Sequence, residues 1–166
     1  VHADQFNELG MLDAAIDLGA LSVDHLEATE PDALRRLAKS DTFGVMLPCS
    51  GFHVDRRYAD GRSFTDAGGK LVIATNVNPG SAPCYAMPMA IALAARFLGV
   101  TVHEAIVACT RNAAALLGLD DRGRVAPGAR ADLVMLPHRS ELELGHTFGA
   151  RSVSTVIRNG QAITAA

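Results

Sequence analysis

The chain has 166 residues, of which 49% are hydrophobic and 20% charged, and a net charge of −3. That is the size of an ordinary domain with enough apolar content to bury a core, which excludes a disordered chain. The mild acidity, the low aromatic content and the absence of Trp argue against a nucleic-acid partner, an anionic membrane surface and a base-stacking platform.

Val1-His2-Ala3-Asp4 does not resemble a leader. It reads as the end of a strand, so the chain is expected to be part of something larger. Glu8 to Leu18 carries apolar residues at nearly helical period, and Gly19 can stop that helix. Ala20 to His25 is a short strand. Thr29-Glu30-Pro31-Asp32 opens a second helix with a cap, an early Pro and an acidic first turn; Leu34, Leu37 and Ala38 form its inner face. Phe43 to Leu47 is a strand closed by Pro48-Cys49. Gly51 to Asp60 reads as irregular, Phe64 to Gly68 as a short helix, and Lys70 to Thr75 as an apolar strand suited to a parallel sheet covered on both faces.

Asn78-Pro79-Gly80-Ser81-Ala82-Pro83 must be a loop, because two Pro and a Gly forbid regular structure. Met87 to Leu98 is a buried helix. Thr101 and Glu104 have capping-box spacing and start another, and Thr110 to Leu117 is the last. The character then changes. Residues 123 to 136 read as turn then strand, and Val153 to Ile157, Asn159-Gly160 and Gln161 to Thr164 as a hairpin, since Asn-Gly favours a turn that matches strand twist. Residues 1–119 are therefore expected to form a partial (β/α) barrel and residues 120–166 a β-rich segment of a small sandwich. The fold class is α/β.

His2, His25, Pro48-Cys49 and Asn76 each close an apolar run, 23, 23 and 28 residues apart, which is room for one strand and one helix each time. Parallel barrels carry their chemistry at the carboxyl ends of their strands. Two His at neighbouring strand ends can face one centre, because paired strands lie about 5 Å apart. His2 can ligate a metal; His25 can ligate one or share a proton with its water. Asn76 offers an amide oxygen or a donor, and Gly80 and Ser81 offer backbone N–H groups for a carboxylate. Each also has an ordinary reading as a hydrogen-bonded His or a strand-to-helix turn. Cys49, Cys84 and Cys109 are widely spaced, with no CxxC, which argues against a disulfide framework and fits a reducing, cytoplasmic compartment. His53, His103, His138 and His146 read as structural or solvated. The longest apolar stretch, Met87 to Val100, is too short to span a bilayer.

Placed together, these segments resemble the C-terminal part of an imidazolonepropionase of the amidohydrolase superfamily. The stretches that carry the likeness are His2-Ala3-Asp4-Gln5-Phe6, residues 19–26 with Val23-Asp24-His25-Leu26, Val45-Met46-Leu47-Pro48, and Ala74-Thr75-Asn76-Val77-Asn78-Pro79-Gly80-Ser81. Residues 123–134 and 156–160 resemble the superfamily's returning sandwich segment. The resemblance implies the C-terminal half of a distorted (β/α)8 barrel with part of a β-sandwich. It implies one divalent metal ion, zinc or iron, and hydrolysis of 4-imidazolone-5-propanoate to N-formimino-L-glutamate in histidine breakdown. It makes His2 and Asn76 metal ligands, His25 the catalytic group at the nucleophilic water and Gln5 a second catalytic and ring-contacting group. Asn78, Gly80 and Ser81 fall where the amino-acid end of the substrate binds.

Two residues depart from the family pattern. Asn76 stands where an Asp usually both ligates the metal and accepts a proton, and Gln5 where many members have Glu. Amides keep the shape and the hydrogen bonding but supply no base near neutral pH. No His-x-His occurs in the chain, so the ligands that the superfamily places on its first strand must lie elsewhere. The expected partners are a small-molecule substrate and the N-terminal half of the same enzyme, with a homodimer left open; the chain alone is expected to be inactive. Another amidohydrolase acting on a cyclic amide or amidine, and a catalytically impaired structural homologue, are the alternatives.

Overall fold

The computed structural model describes residues 1–149 and 151–163. Four short strands, β1 (His2–Ala3), β2 (Ser22–His25), β3 (Phe43–Met46) and β4 (Leu71–Ile73), form one parallel sheet in chain order. The register pairs His2 with Asp24, Ala3 with His25, Asp24 with Val45, and Met46 with Ile73. Each of the three crossovers between these strands holds one or two helices: α1 (Met11–Asp17), α2 (Pro31–Ala38), then α3 (Pro48–His53) and α4 (Gly61–Asp66).

Alternation along the strands divides the side chains between two faces. Val23, Met46, Leu71 and Ile73 pack with Leu12, Leu34, Leu37 and Phe64 of the helices into the main core. Val45, Leu47 and Val72 point to the other face, where Phe43, Ala74, Ala113 and Leu116 pack against them. The near-continuous apolar runs thus belong to a sheet covered on both sides, as read from the sequence.

Local signals set most helix ends. Pro31 opens α2 with its fixed φ, but Thr29 is not its cap: the N-cap is Glu30, and the Thr29 hydroxyl donates to Asp4 Oδ2 at 2.9 Å. The stretch expected to be irregular from Gly51 onward begins as helix, because Pro48 stands at the first turn of α3 and the chain continues helical to His53. Gly51 is required there, since a Cβ would stand 2.0 Å from the Arg57 carbonyl oxygen. The first helix is shorter than its periodicity suggests, starting at Met11.

The loop at 78–83 is present, pinned by an antiparallel bridge between Asn78 and Ala82. Helix α5 (Met87–Phe97) buries Ala90, Ile91, Leu93 and Ala94. Helix α6 (Val102–Val107) starts at the expected capping box. It runs through a π-helical turn, Ala108–Asn112, into α7 (Ala113–Leu116), so the last expected helix is the end of one continuous helical run. The wide turn brings the Asn112 amide within 2.8 Å of the Leu71 carbonyl, tying the run to β4.

The remaining described residues form β5 (Leu133–Met135), α8 (Glu143–His146), β6 (Thr155–Arg158) and β7 (Gln161–Ile163), with the strands in a separate antiparallel sheet. Asn159 and Gly160 both have positive φ, 51° and 79°, as a two-residue hairpin turn with native twist demands. Thr164, expected in this hairpin, lies outside the described residues. Helix α8 has no counterpart in the sequence reading. It lies against α5, where Arg96 donates to the Gly145 carbonyl at 2.8 Å and stacks on Phe148.

Candidate active site

The face of the parallel sheet that carries Val45, Leu47 and Val72 borders a largely apolar cavity of about 380 Å³, whose lining also includes His2, Asp24 and Asn76. His2 and Asp24 are register partners and so face the same side of the sheet. Their side chains approach to 4.0 Å between Nε2 and Oδ2, and the His2 ring stays 70% exposed toward the cavity.

His25 follows Asp24, and strict alternation would turn it to the helix side, where its register partner Ala3 is buried. Instead the chain kinks. His25 and Leu26 have φ of 92° and 73°. Such conformations cost a non-glycine residue about 1–3 kcal/mol each and persist only where the surroundings impose them. The kink sets the His25 ring beside that of His2, with centroids 5.1 Å apart and planes tilted by 45°. The two imidazoles expected at one centre are therefore adjacent.

His25 is buried, and its Nδ1 lies 3.2 Å from Oε1 of Glu27, whose side chain is withdrawn from solvent. A carboxylate oxygen at Nδ1 is an acceptor that can hold a ring proton there. Reading the sequence missed Glu27. Two residues past a His, next to a loop, it resembles any solvated acid, and only its burial reveals it.

Asn76 lines the same cavity as His2 and has φ 55°, a conformation that Asn and Asp tolerate better than other side-chain-bearing residues. Gln5 donates from Nε2 to the hydroxyl of the buried Ser50 on α3 at 3.4 Å. Asn78 organises its own loop. Its Oδ1 accepts from the backbone N–H of Gly80 at 2.9 Å and of Ser81 at 2.7 Å, and its Nδ2 donates to the Asn76 carbonyl at 2.7 Å. The two N–H groups read as a carboxylate cradle thus already have an acceptor, and an incoming anion must share or displace it.

Cys49 and Cys84 line a smaller pocket of about 150 Å³ between α3, the loop and α5. Burial, with the neighbouring Cys84 adding to it, pushes the Cys49 thiol up to about 12, and burial alone does the same for Cys109, so neither is a nucleophile near neutral pH. All three cysteines are free.

Among the described residues no three His, Cys, Asp or Glu side chains gather to hold a metal ion. The donors at the cavity are nevertheless of the right kind. His2 and Asn76 line one cavity, and a zinc-like ion commonly takes four ligands or three and a water. These residues fit such an ion as part of its shell.

A model of the amidohydrolase family matches residues 4–163. The chain belongs to the amidohydrolase family. Its similarity to imidazolonepropionases is substantial: 46% identity to that of Deinococcus deserti, over 96% of this chain and 40% of that protein. The imidazolonepropionase of Herpetosiphon aurantiacus is 42% identical over 98% of this chain and 39% of its own length. The chain thus spans about 40% of the length of these curated relatives. Among solved structures, E. coli guanine deaminase aligns with a TM-score of 0.74 at 20% identity, over 92% of this chain and 41% of that one. An adenosine deaminase from Xanthomonas campestris, crystallised with bound zinc, gives 0.74 at 20% identity, over 91% and 39%. At that identity the likeness concerns the fold: this amidohydrolase has the α/β architecture with a parallel sheet. No helix of the described residues is long and apolar enough to cross a membrane.

Proposed function

We propose that this chain supplies the C-terminal half of a metal-dependent (β/α)8 hydrolase, with residues 1–119 as the last four βα units and 120–166 as part of a small β-sandwich. The reaction is hydrolysis of a ring C–N bond of 4-imidazolone-5-propanoate: one water is added and N-formimino-L-glutamate leaves as the single product. The observation that carries the reading is the pair of imidazoles, 5.1 Å apart, at the ends of neighbouring parallel strands. The 46% identity to an imidazolonepropionase supports this substrate over other cyclic amides and amidines. The separation of the two sheets, one parallel and one antiparallel, supports the domain division. Three free cysteines fit a reducing, cytoplasmic setting.

His2 and Asn76 would hold a single divalent ion, zinc or iron, together with donors from the rest of the barrel. Bound there, the ion supplies Lewis acidity and lowers the pKa of a ligated water from 15.7 toward about 7. His25, with its lone pair on Nε2, accepts the proton that the attacking water gives up and can return it to the departing ring nitrogen. Gln5 offers an amide to the ring, held by Ser50. Asn78, Gly80 and Ser81 take the propanoate end, whose carboxylate shares the N–H groups that Asn78 Oδ1 now accepts.

The test is an assay of the full-length protein on 4-imidazolone-5-propanoate, hydantoin and guanine, following loss of the ring and appearance of N-formimino-L-glutamate. The imidazolone should be turned over with the highest kcat/KM, and His2→Ala should lower it at least a hundredfold while reducing bound metal. Faster turnover of hydantoin or guanine would replace the substrate assignment. Protein that binds metal fully yet hydrolyses none of the three would remove the catalytic reading.

A further inference from the structure

Glu27 has no role in the chemistry described so far, yet its placement is unusual. Its side chain is 5% exposed and that of His25 4%. The two lie in a narrow space walled by Leu47, Pro48, Tyr58, Ala59 and Leu98. Withdrawing a carboxylate from water this far is unfavourable unless hydrogen bonds replace the lost hydration. Glu27 Oε1 has one such partner, His25 Nδ1 at 3.2 Å, and the buried Oε2 has no partner among the described residues.

The cationic neighbour at this space does not compensate. Arg57 spends its guanidinium on Asp55 and on the Phe6 carbonyl, at 2.6–2.8 Å. The contact of Glu27 with His25 is therefore its polar link to the fold. A half-satisfied buried acid calls for a reason, and the one polar partner that Glu27 has is His25.

We propose that Glu27 is a positioning residue that fixes His25 as the Nδ1–H tautomer, leaving Nε2 as the atom that takes the proton. A free imidazole prefers the opposite tautomer, with its proton on Nε2, which would turn a donor rather than an acceptor to the reacting water. An acceptor-only partner at Nδ1 reverses that preference and holds the ring in one orientation. The kink at His25 and Leu26 sets the ring next to His2; Glu27 sets which of its nitrogens is basic. The proposal rests on the reading of His25 as the proton-handling group, and its test separates the two.

The experiment is a two-bond proton–nitrogen correlation spectrum of the full-length protein labelled with ring-¹⁵N histidine, for wild type, Glu27→Gln and Glu27→Ala, with kcat and KM for each. Wild type should show His25 with a protonated Nδ1 and an unprotonated Nε2. Glu27→Gln keeps the volume and should fold; its amide can also donate to Nδ1, so the Nε2–H tautomer should gain population. The Gln variant should lose about tenfold or more in kcat with KM held within about twofold, as loss of an orienting partner typically does. A Gln variant with the wild-type tautomer overturns the proposal whatever its turnover. A shifted tautomer with unchanged kcat supports the role of Glu27 and instead removes His25 from proton transfer.

Discussion

At the scale of single residues, the most consequential one is Asn76. It sits at the end of β4, lines the cavity with His2, and holds a left-handed backbone that Asp adopts equally well. Asn76→Asp should therefore leave the fold unchanged while restoring a charged ligand and a second proton acceptor. In the full-length enzyme it should raise kcat by about tenfold or more, part of the roughly 10²–10⁴-fold that a positioned general base contributes. A flat or lower kcat in steady-state assays would show that the amide does not limit proton transfer. Asn76 was legible in the sequence because a polar residue that closes an apolar run stands out. Glu27 was not, because a sequence does not report which acid is buried.

At the scale of elements, strand ends and the α6 capping box were legible, whereas the α2 cap and the backbone kinks were not. The capping box of α6 is as its spacing indicates: Thr101 Oγ1 accepts from Glu104 N–H at 3.2 Å, and Glu104 accepts from Thr101 N–H at 2.7 Å. What the spacing did not reveal is Arg62 of α4, which donates to both Glu104 oxygens at 3.0 and 3.1 Å and links the two helices. That guanidinium, followed by the Thr101 N–H, draws the Glu104 carboxyl down to about 2 from an ordinary 4.5. A carboxylate with a depressed folded-state value stabilises the fold fully above its unfolded value and loses that contribution as pH falls toward 2. Both side chains are about one-third exposed, so solvent screening keeps the effect modest. Thermal unfolding of Glu104→Gln should start below wild type at pH 6, and the gap should narrow between pH 4.5 and 2.5. A constant gap would mean that the ion pair adds nothing to the cap.

The loop at 78–83 and helix α3 show why local patterns sometimes mislead. Pro48-Cys49 reads as the close of a strand and Gly51 to Asp60 as irregular, yet Pro at a first helical turn begins a helix as readily as it ends a strand. Gly80 and Ser81 read as open anion donors, yet Asn78 is close enough in sequence to fold its own side chain back onto them.

At the scale of the whole molecule, the parallel sheet has two free edges among the described residues, at β1 and β4. A closed barrel removes both edges and needs eight strands. The size of the curated relatives, of which this chain spans about 40%, fits that requirement. The strands pair in chain order, as successive βα units do. The proposed metal site is legible only in part, since the donors proposed on this chain, His2 and Asn76, number fewer than an ion takes. The central claim is that His2 and Asn76 help hold one divalent ion beside His25. The measurement that tests it most directly is anomalous X-ray diffraction at the zinc and iron edges from crystals of the full-length protein. One peak should stand about 2.0–2.2 Å from His2 Nε2, bordered by Asn76 and facing the His25 ring. A peak elsewhere, or a metal-loaded crystal with none at His2, would contradict it.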